Sequence, residues 1–181
     1  NDVTLTDGAN NFATLRLVSA DNASITDANA LAFAGGATDV TTNLTLDVGG
    51  NLSDASTITV GGILNITADG GGQNVVLDDA GNTFTGAVAL SDGTGFGTLS
   101  LVDTTALALP GLNAGTLTLD VGGDLTQTGA LVISGQTVIT AGANDVTLTN
   151  GGNDFANLQI VSAANASITD SNALVLGAGA S

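Results

Sequence analysis

Apolar residues in this chain recur at every second position in short runs. Leu44, Leu46 and Val48 alternate with Thr45 and Asp47, and Leu117, Leu119 and Val121 alternate with Thr118 and Asp120. Val3-Thr4-Leu5-Thr6 and Ile58-Thr59-Val60 follow the same rule. Successive side chains of a strand point to opposite faces, so a period of two puts Leu, Ile and Val inside and Thr and Asp outside. The β-branch of Thr suits an extended, outward position. No stretch carries an i, i+3, i+4 apolar stripe, and Glu, Lys and Met are absent, so the pattern predicts short strands and almost no helix. Gly, Asn and Asp separate the runs. Gly pairs at 49–50, 61–62 and 122–123 read as corners where glycine supplies a positive φ.

The runs belong to a longer repeat. Residues 1–31 and 144–174 are identical at 23 of 31 positions, and a weaker copy starts at Asn74. NLTLDVGGNLSDASTITVGG (Asn43–Gly62) likewise matches TLTLDVGGDLTQTGALVISG (Thr116–Gly135). Starts near 1, 74 and 144 define a repeat of about 70 residues, which divides into pieces at 43–62, 63–87 and 88–115. These pieces grow in length along the chain, and each suits a single turn of a β-solenoid, in which strands have fixed length and corners absorb the difference. The expected fold is all-β, a parallel β-helix of about 20–28 residues per coil with a three-coil repeat. A sandwich needs no such repeat and fills its core with more aromatic residues. Seven to eight coils at ~4.8 Å would make a rod of roughly 35 Å.

Stacking places like on like. Asn43, Asn65 and Asn74 are expected to form amide ladders along the axis. Asp47 and Asp120 are expected three coils apart, ~14 Å by the same spacing, where salt screens their repulsion. Phe12, Phe84 and Phe155 occupy one position of the three copies and read as core or corner packing.

Charge then narrows the function. Seventeen acidic residues, all Asp, face a single Arg16, for a net charge of −16. Such a chain repels nucleic acid and anionic membrane surfaces. Without Cys or His it offers no zinc, haem or iron–sulfur ligands and no assisted nucleophile. No apolar run approaches the ~20 residues of a membrane span. The chain starts at Asn1 and reads as one solenoid segment, 1–181, excised from a longer array of repeats.

NDVTLTNGGNDF, ASITDSNALVLGA and LTLDVGGDLTQTGALVISG resemble the repeats of filamentous-haemagglutinin-type exoproteins, the large bacterial adhesins exported by two-partner secretion. The resemblance covers essentially the whole chain. It implies a right-handed parallel β-helix, an outer-membrane secretion partner, and a secreted or cell-surface location. The segment resembles the shaft of such a protein. It departs from the family pattern in lacking Lys, so polyanionic ligands are not expected.

Candidate sites are few, and no catalytic, cofactor or metal residue is assigned. Asp78-Asp79 is the only adjacent acidic pair, and on a strand its carboxylates would diverge. Arg16 is replaced by Gln159 in the later copy. The residues around Asp69-Gly70-Gly71-Gly72 do not complete a calcium nonapeptide, and no EF-hand loop occurs; weak calcium binding to the acidic face is the remaining cation expectation. Thr4/Thr6, Thr57/Thr59 and Thr116/Thr118 recur irregularly, unlike an ice-binding array. Asn22, Asn43, Asn51, Asn65 and Asn165 sit in glycosylation triplets, as a chain rich in Asn, Ser and Thr will produce by chance. The expected function is therefore a non-catalytic shaft, stiff by interstrand hydrogen bonding, with flanking repeats as neighbours and end-to-end self-association at exposed strand edges. A solenoid binding ice or carbohydrate is the alternative, and a polysaccharide-cleaving β-helix the remote one.

Overall fold

The computed structural model describes residues 1–177, which hold twenty strands and no helix. The first twelve strands are β1 (Val3–Leu5), β2 (Thr14–Leu15), β3 (Ala23–Asp27), β4 (Leu31–Phe33), β5 (Thr38–Val40), β6 (Leu44–Val48), β7 (Leu52–Asp54), β8 (Ile58–Val60), β9 (Leu64–Ala68), β10 (Val75–Leu77), β11 (Thr83–Phe84) and β12 (Val88–Asp92). The remaining eight are β13 (Phe96–Asp103), β14 (Leu107–Leu109), β15 (Leu112–Val121), β16 (Leu125–Gln127), β17 (Leu131–Thr140), β18 (Val146–Leu148), β19 (Asp154–Ser162) and β20 (Ala166–Ile168). The last residue of the motif ASITDSNALVLGA, Ala178, lies outside the described residues.

Strands pair in parallel with those of neighbouring turns, as a β-solenoid requires. β1, β3, β6, β9 and β12 form a five-stranded sheet, and β5, β8 and β11 a three-stranded one. An eight-stranded sheet runs from β2 to β19, and β14, β16, β18 and β20 form a fourth sheet. Partners Val3, Ala23, Leu44, Leu64 and Val88 succeed one another turn by turn, and the last step is the longest. Leu107, Leu125, Val146 and Ala166 succeed one another in the same manner. The long step carries the Gly70-Gly71-Gly72 corner between β9 and β10. With the step from Val88 to Leu107, these make eight turns. The expected piece 88–115 thus divides near Leu107, and one sequence repeat occupies three coils and part of a fourth.

That extra part turns the repeat about the axis. Leu44–Val48 lies in the five-stranded sheet, whereas its sequence equivalent Leu117–Val121 lies in the eight-stranded one. Asp47 and Asp120 therefore do not stack above one another as expected. From Val3 to Val146, two repeats on, the chain takes seven coil steps.

The core is a set of aliphatic columns. Ile25, Leu46, Ile66 and Leu90 stack through successive coils, as do Leu31, Leu52, Val75, Leu99 and Leu117. All are at least nine-tenths buried. Burying such a side chain is worth about 2 kcal/mol, and each column repeats that gain at every turn. Corner glycines let the coils approach. A Cβ on Gly49, Gly61 or Gly122 would overlap the carbonyl oxygen of Ala28, Thr41 or Thr104 in the preceding coil. None of these three has a positive φ. The expected role of the Gly pairs is corrected: backbone clearance, not left-handed geometry, excludes a side chain there.

Two ladders end inside the molecule: β11 is the last strand of its sheet, and so is β12. No pairing joins β12 to β14; they touch, but belong to different sheets. Beyond this point β15 and β17 run as ten-residue strands of the eight-stranded sheet, with register shifts after Ala114 and Ile133.

Candidate functional site

The most elaborate local structure repeats with the sequence. In 7–12, 79–84 and 150–155 the order is Asx, two small residues, Asn, any residue, Phe. The carboxylate or amide oxygen of Asp7, Asp79 and Asn150 accepts the N–H two residues on, at 2.9–3.0 Å. Their carbonyls accept the N–H of Asn10, Asn82 and Asn153. The turn drives that Asn side chain inward, and Asn82 and Asn153 are fully buried. Asn10 and Asn153 each donate to a carbonyl of their own coil, Leu5 or Leu148, and to one of the following coil, Thr26 or Thr169. Asn153 also accepts from the Leu131 N–H and trades two hydrogen bonds with Gln127. Asn82 accepts from Ile58 N–H and donates to Asp54.

The Phe two residues later is tied to an acid in the following coil. The N–H groups of Phe12, Phe84 and Phe155 donate to the carboxylates of Asp27, Asp103 and Asp170. Phe84 and Phe155 are fully buried and Phe12 partly, in keeping with packing. These Asn and Asp residues escaped the sequence reading, although the signal was present: the motif is spelled three times, and each copy has its Asp one coil further along.

The acids cluster more than the repeat suggested. Asp47 has Asp69 of the next coil beside it. Burial first, then the charge and hydrogen bond of Asp69, raise the Asp47 carboxyl above its ordinary value. Asp54 is raised too, chiefly by burial, although Asn82 and the N–H groups of Asp78 and Asp79 oppose the shift. Those two N–H groups wrap Asp78-Asp79 around Asp54. The pair lies just past β10, in a corner and not on a strand, so the expected strand geometry does not apply to it. Asp79 is further engaged by the Thr57 hydroxyl at 2.8 Å. Asp78 lines a shallow depression of about 300 Å³ with Asp103 and Asp120. The Asp103 Oδ1 there is already taken by Phe84 and Thr105. Among the described residues no group of three or more acids is arranged to hold a metal ion.

The other sequence candidates serve the stacking. Asn43 donates to Asn22 and accepts from the Ile63 N–H; Asn74 donates its backbone N–H to Asn51 and accepts from the Thr98 N–H. Asn65 instead sits on β9, paired with Thr45 and Ala89, and joins no amide ladder. Arg16 reaches across the Gly35-Gly36 corner to the Ala37 carbonyl. Outward columns mix residue types: Thr4, Ser24, Thr45, Asn65 and Ala89 on one wall, and Ser100, Thr118, Val138 and Gln159 on another. No flat threonine array forms there. No described helix is long and apolar enough to cross a membrane.

A cleft of about 400 Å³ opens where β12 and β14 fail to pair. Leu90, Ser91 and Asp92 form one side; Gly111, Leu112 and Asn113 form the other, with Phe96 and Val132 nearby. A neighbouring cleft of about 430 Å³ shares Gly95, Phe96, Asn113 and Val132.

A family described as repeats of unknown function, DUF5649, matches residues 20–91 and 96–162, two repeats that together cover most of the sequence. No curated protein and no solved structure matches the chain. The residues between the two matched repeats, 92–95, form the corner at the cleft.

Proposed function

The chain belongs to the DUF5649 family of repeats, and from that premise we propose that it works as a non-catalytic shaft segment of a large secreted or surface-attached bacterial adhesin. One observation carries the reading. Residues 144–174 restate residues 1–31 seven coil steps along, and the local structure is restated too: Val146 pairs with Ala166 as Val3 pairs with Ala23. Repeats of this kind concatenate without disturbing the columns. Solenoid stability grows as a sum of coils and coil–coil contacts, which suits a spacer of variable reach. The acidic coat favours solubility and keeps neighbouring rods apart. The likeness of the repeats to two-partner-secreted exoproteins supplies the adhesin context, an outer-membrane export partner and the surface location.

The reading is tested by length. A chain in which residues 1–143 are duplicated ahead of the existing sequence should scatter X-rays as a rod longer by about 34 Å, seven steps of ~4.8 Å. A compact particle of unchanged length would overturn it. Immunogold labelling of the producing cell addresses location: label confined to the cytoplasm contradicts the surface role.

A further inference from the structure

The third copy of the corner motif departs from the first two at its opening residue. Asp7 and Asp79 open the earlier copies, and Asn150 opens the last. Gly151 follows Asn150, and this is the one Asn-Gly pair in the sequence; every other Asn precedes a residue with a side chain. The amide nitrogen after an Asn lies near the carbon of its carboxamide, and a following glycine leaves that nitrogen free of a neighbouring Cβ.

The fold presents this pair. Asn150, Gly151 and Gly152 are exposed, and a Cβ on Gly151 would meet nothing within 4 Å. The Asn150 Oδ1 accepts the Gly152 N–H at 2.9 Å, an Asx turn that folds the carboxamide back over the intervening Gly151 amide. The same N–H thus sits on the oxygen that gains negative charge when a nucleophile adds to the carboxamide, the placement that stabilises an oxyanion. The corner also accommodates an acid. In the equivalent turns the Asp7 and Asp79 carboxylates accept the N–H two residues on, the bond that Asn150 makes here.

We propose that Asn150 is a site of spontaneous covalent modification. The Gly151 nitrogen loses its proton and adds to the Asn150 Cγ. The bond from Cγ to the side-chain nitrogen breaks, that nitrogen takes up a proton, and it departs as ammonia, leaving a succinimide. Water adds to one of the two ring carbonyls and opens the ring, giving aspartate or isoaspartate with no change of oxidation state. The two products differ in their effect on the coil. Aspartate restores the turn of the other copies. Isoaspartate adds a carbon to the main chain three residues ahead of Asn153, whose hydrogen bonds reach Gln127 and Leu131 in the preceding coil and Thr169 in the next. The inference goes beyond the shaft reading and does not rest on it.

The test holds the folded, ¹⁵N-labelled chain in mildly alkaline buffer. Ion exchange follows the negative charge that each event adds, and the side-chain amide signals report which Asn has reacted. The Asn150 signals are expected to disappear before those of any other Asn, with ammonia released in equal amount. One acidic product should co-elute with Asn150→Asp and share its Tm, and the other should melt lower. Gly151 has no positive φ, and Gly151→Ala reproduces the Ala80 of the second copy; it should fold as the parent does and slow the loss about tenfold. The chain unfolded in urea is the reference for reaction without the fold. Earlier loss at another Asn, an unchanged rate in Gly151→Ala, or reaction of the unfolded chain with none in the folded one would each overturn the proposal.

Discussion

Buried polar residues set the fine structure of this solenoid. Asn153 is fully enclosed and makes five hydrogen bonds. Asn153→Ala strands the Leu131 N–H and the Thr169 carbonyl and removes the bonds to Gln127, while the Leu148 carbonyl keeps the Thr169 N–H, so a loss of about 3 kcal/mol is expected in denaturant unfolding. Thr137 presents the opposite case: it sits in a column between Leu117 and Leu158, fully buried, with its hydroxyl unpartnered. Thr137→Val should stabilise by about 1 kcal/mol, since a group of the same shape replaces an unsatisfied one. At Asp47 the sign runs with pH. Its carboxyl is raised in the fold by burial and by Asp69, so the folded state holds a proton that the unfolded chain releases. The contribution of Asp47 to stability therefore grows as pH falls through its raised folded value toward the unfolded-state value of about 4. Asp47→Asn should raise the Tm at pH 7 and change it little at about pH 4, as differential scanning calorimetry would show. The inward Leu and Val were legible in the sequence because a two-residue period records them directly. The inward Asn and Asp were not, because in a turn their direction depends on hydrogen bonds made to another coil.

Among the elements, the strands followed from local alternation and their corners did not. Gly61 illustrates the difference. In sequence it looked like a turn residue, but its constraint is the Thr41 carbonyl of the preceding coil, a neighbour only the stacked structure supplies. Gly61→Ala should therefore cost about 1–3 kcal/mol by overpacking, whereas Gly8→Ala meets nothing within 4 Å and should be close to neutral in the same unfolding assay. The break after β12 was equally hidden, since Val88–Asp92 and Leu107–Leu109 alternate as well as any other runs. Only the register shows that they fail to pair. Amide hydrogen exchange is expected to divide the molecule at that point, with Ser91 and its neighbours exchanging faster than the matching residues of β6 and β9.

At the scale of the molecule, the repeat length was visible in the sequence, but its relation to the coil was not. The spacing of the repeat starts suggests a whole number of turns, whereas the paired residues of successive coils make it three turns and a fraction. The fraction matters because it decides which way each repeat faces. Two sequence-equivalent strands, Leu44–Val48 and Leu117–Val121, lie in different sheets for this reason. If such units continue in tandem, every patch carried by one unit points away from its counterpart on the next and returns to the original bearing only on the one after. A filament assembled this way would present each patch on two of its walls in alternation, and partners gripping one wall would be spaced at about 34 Å, every second unit, leaving the other wall free for others.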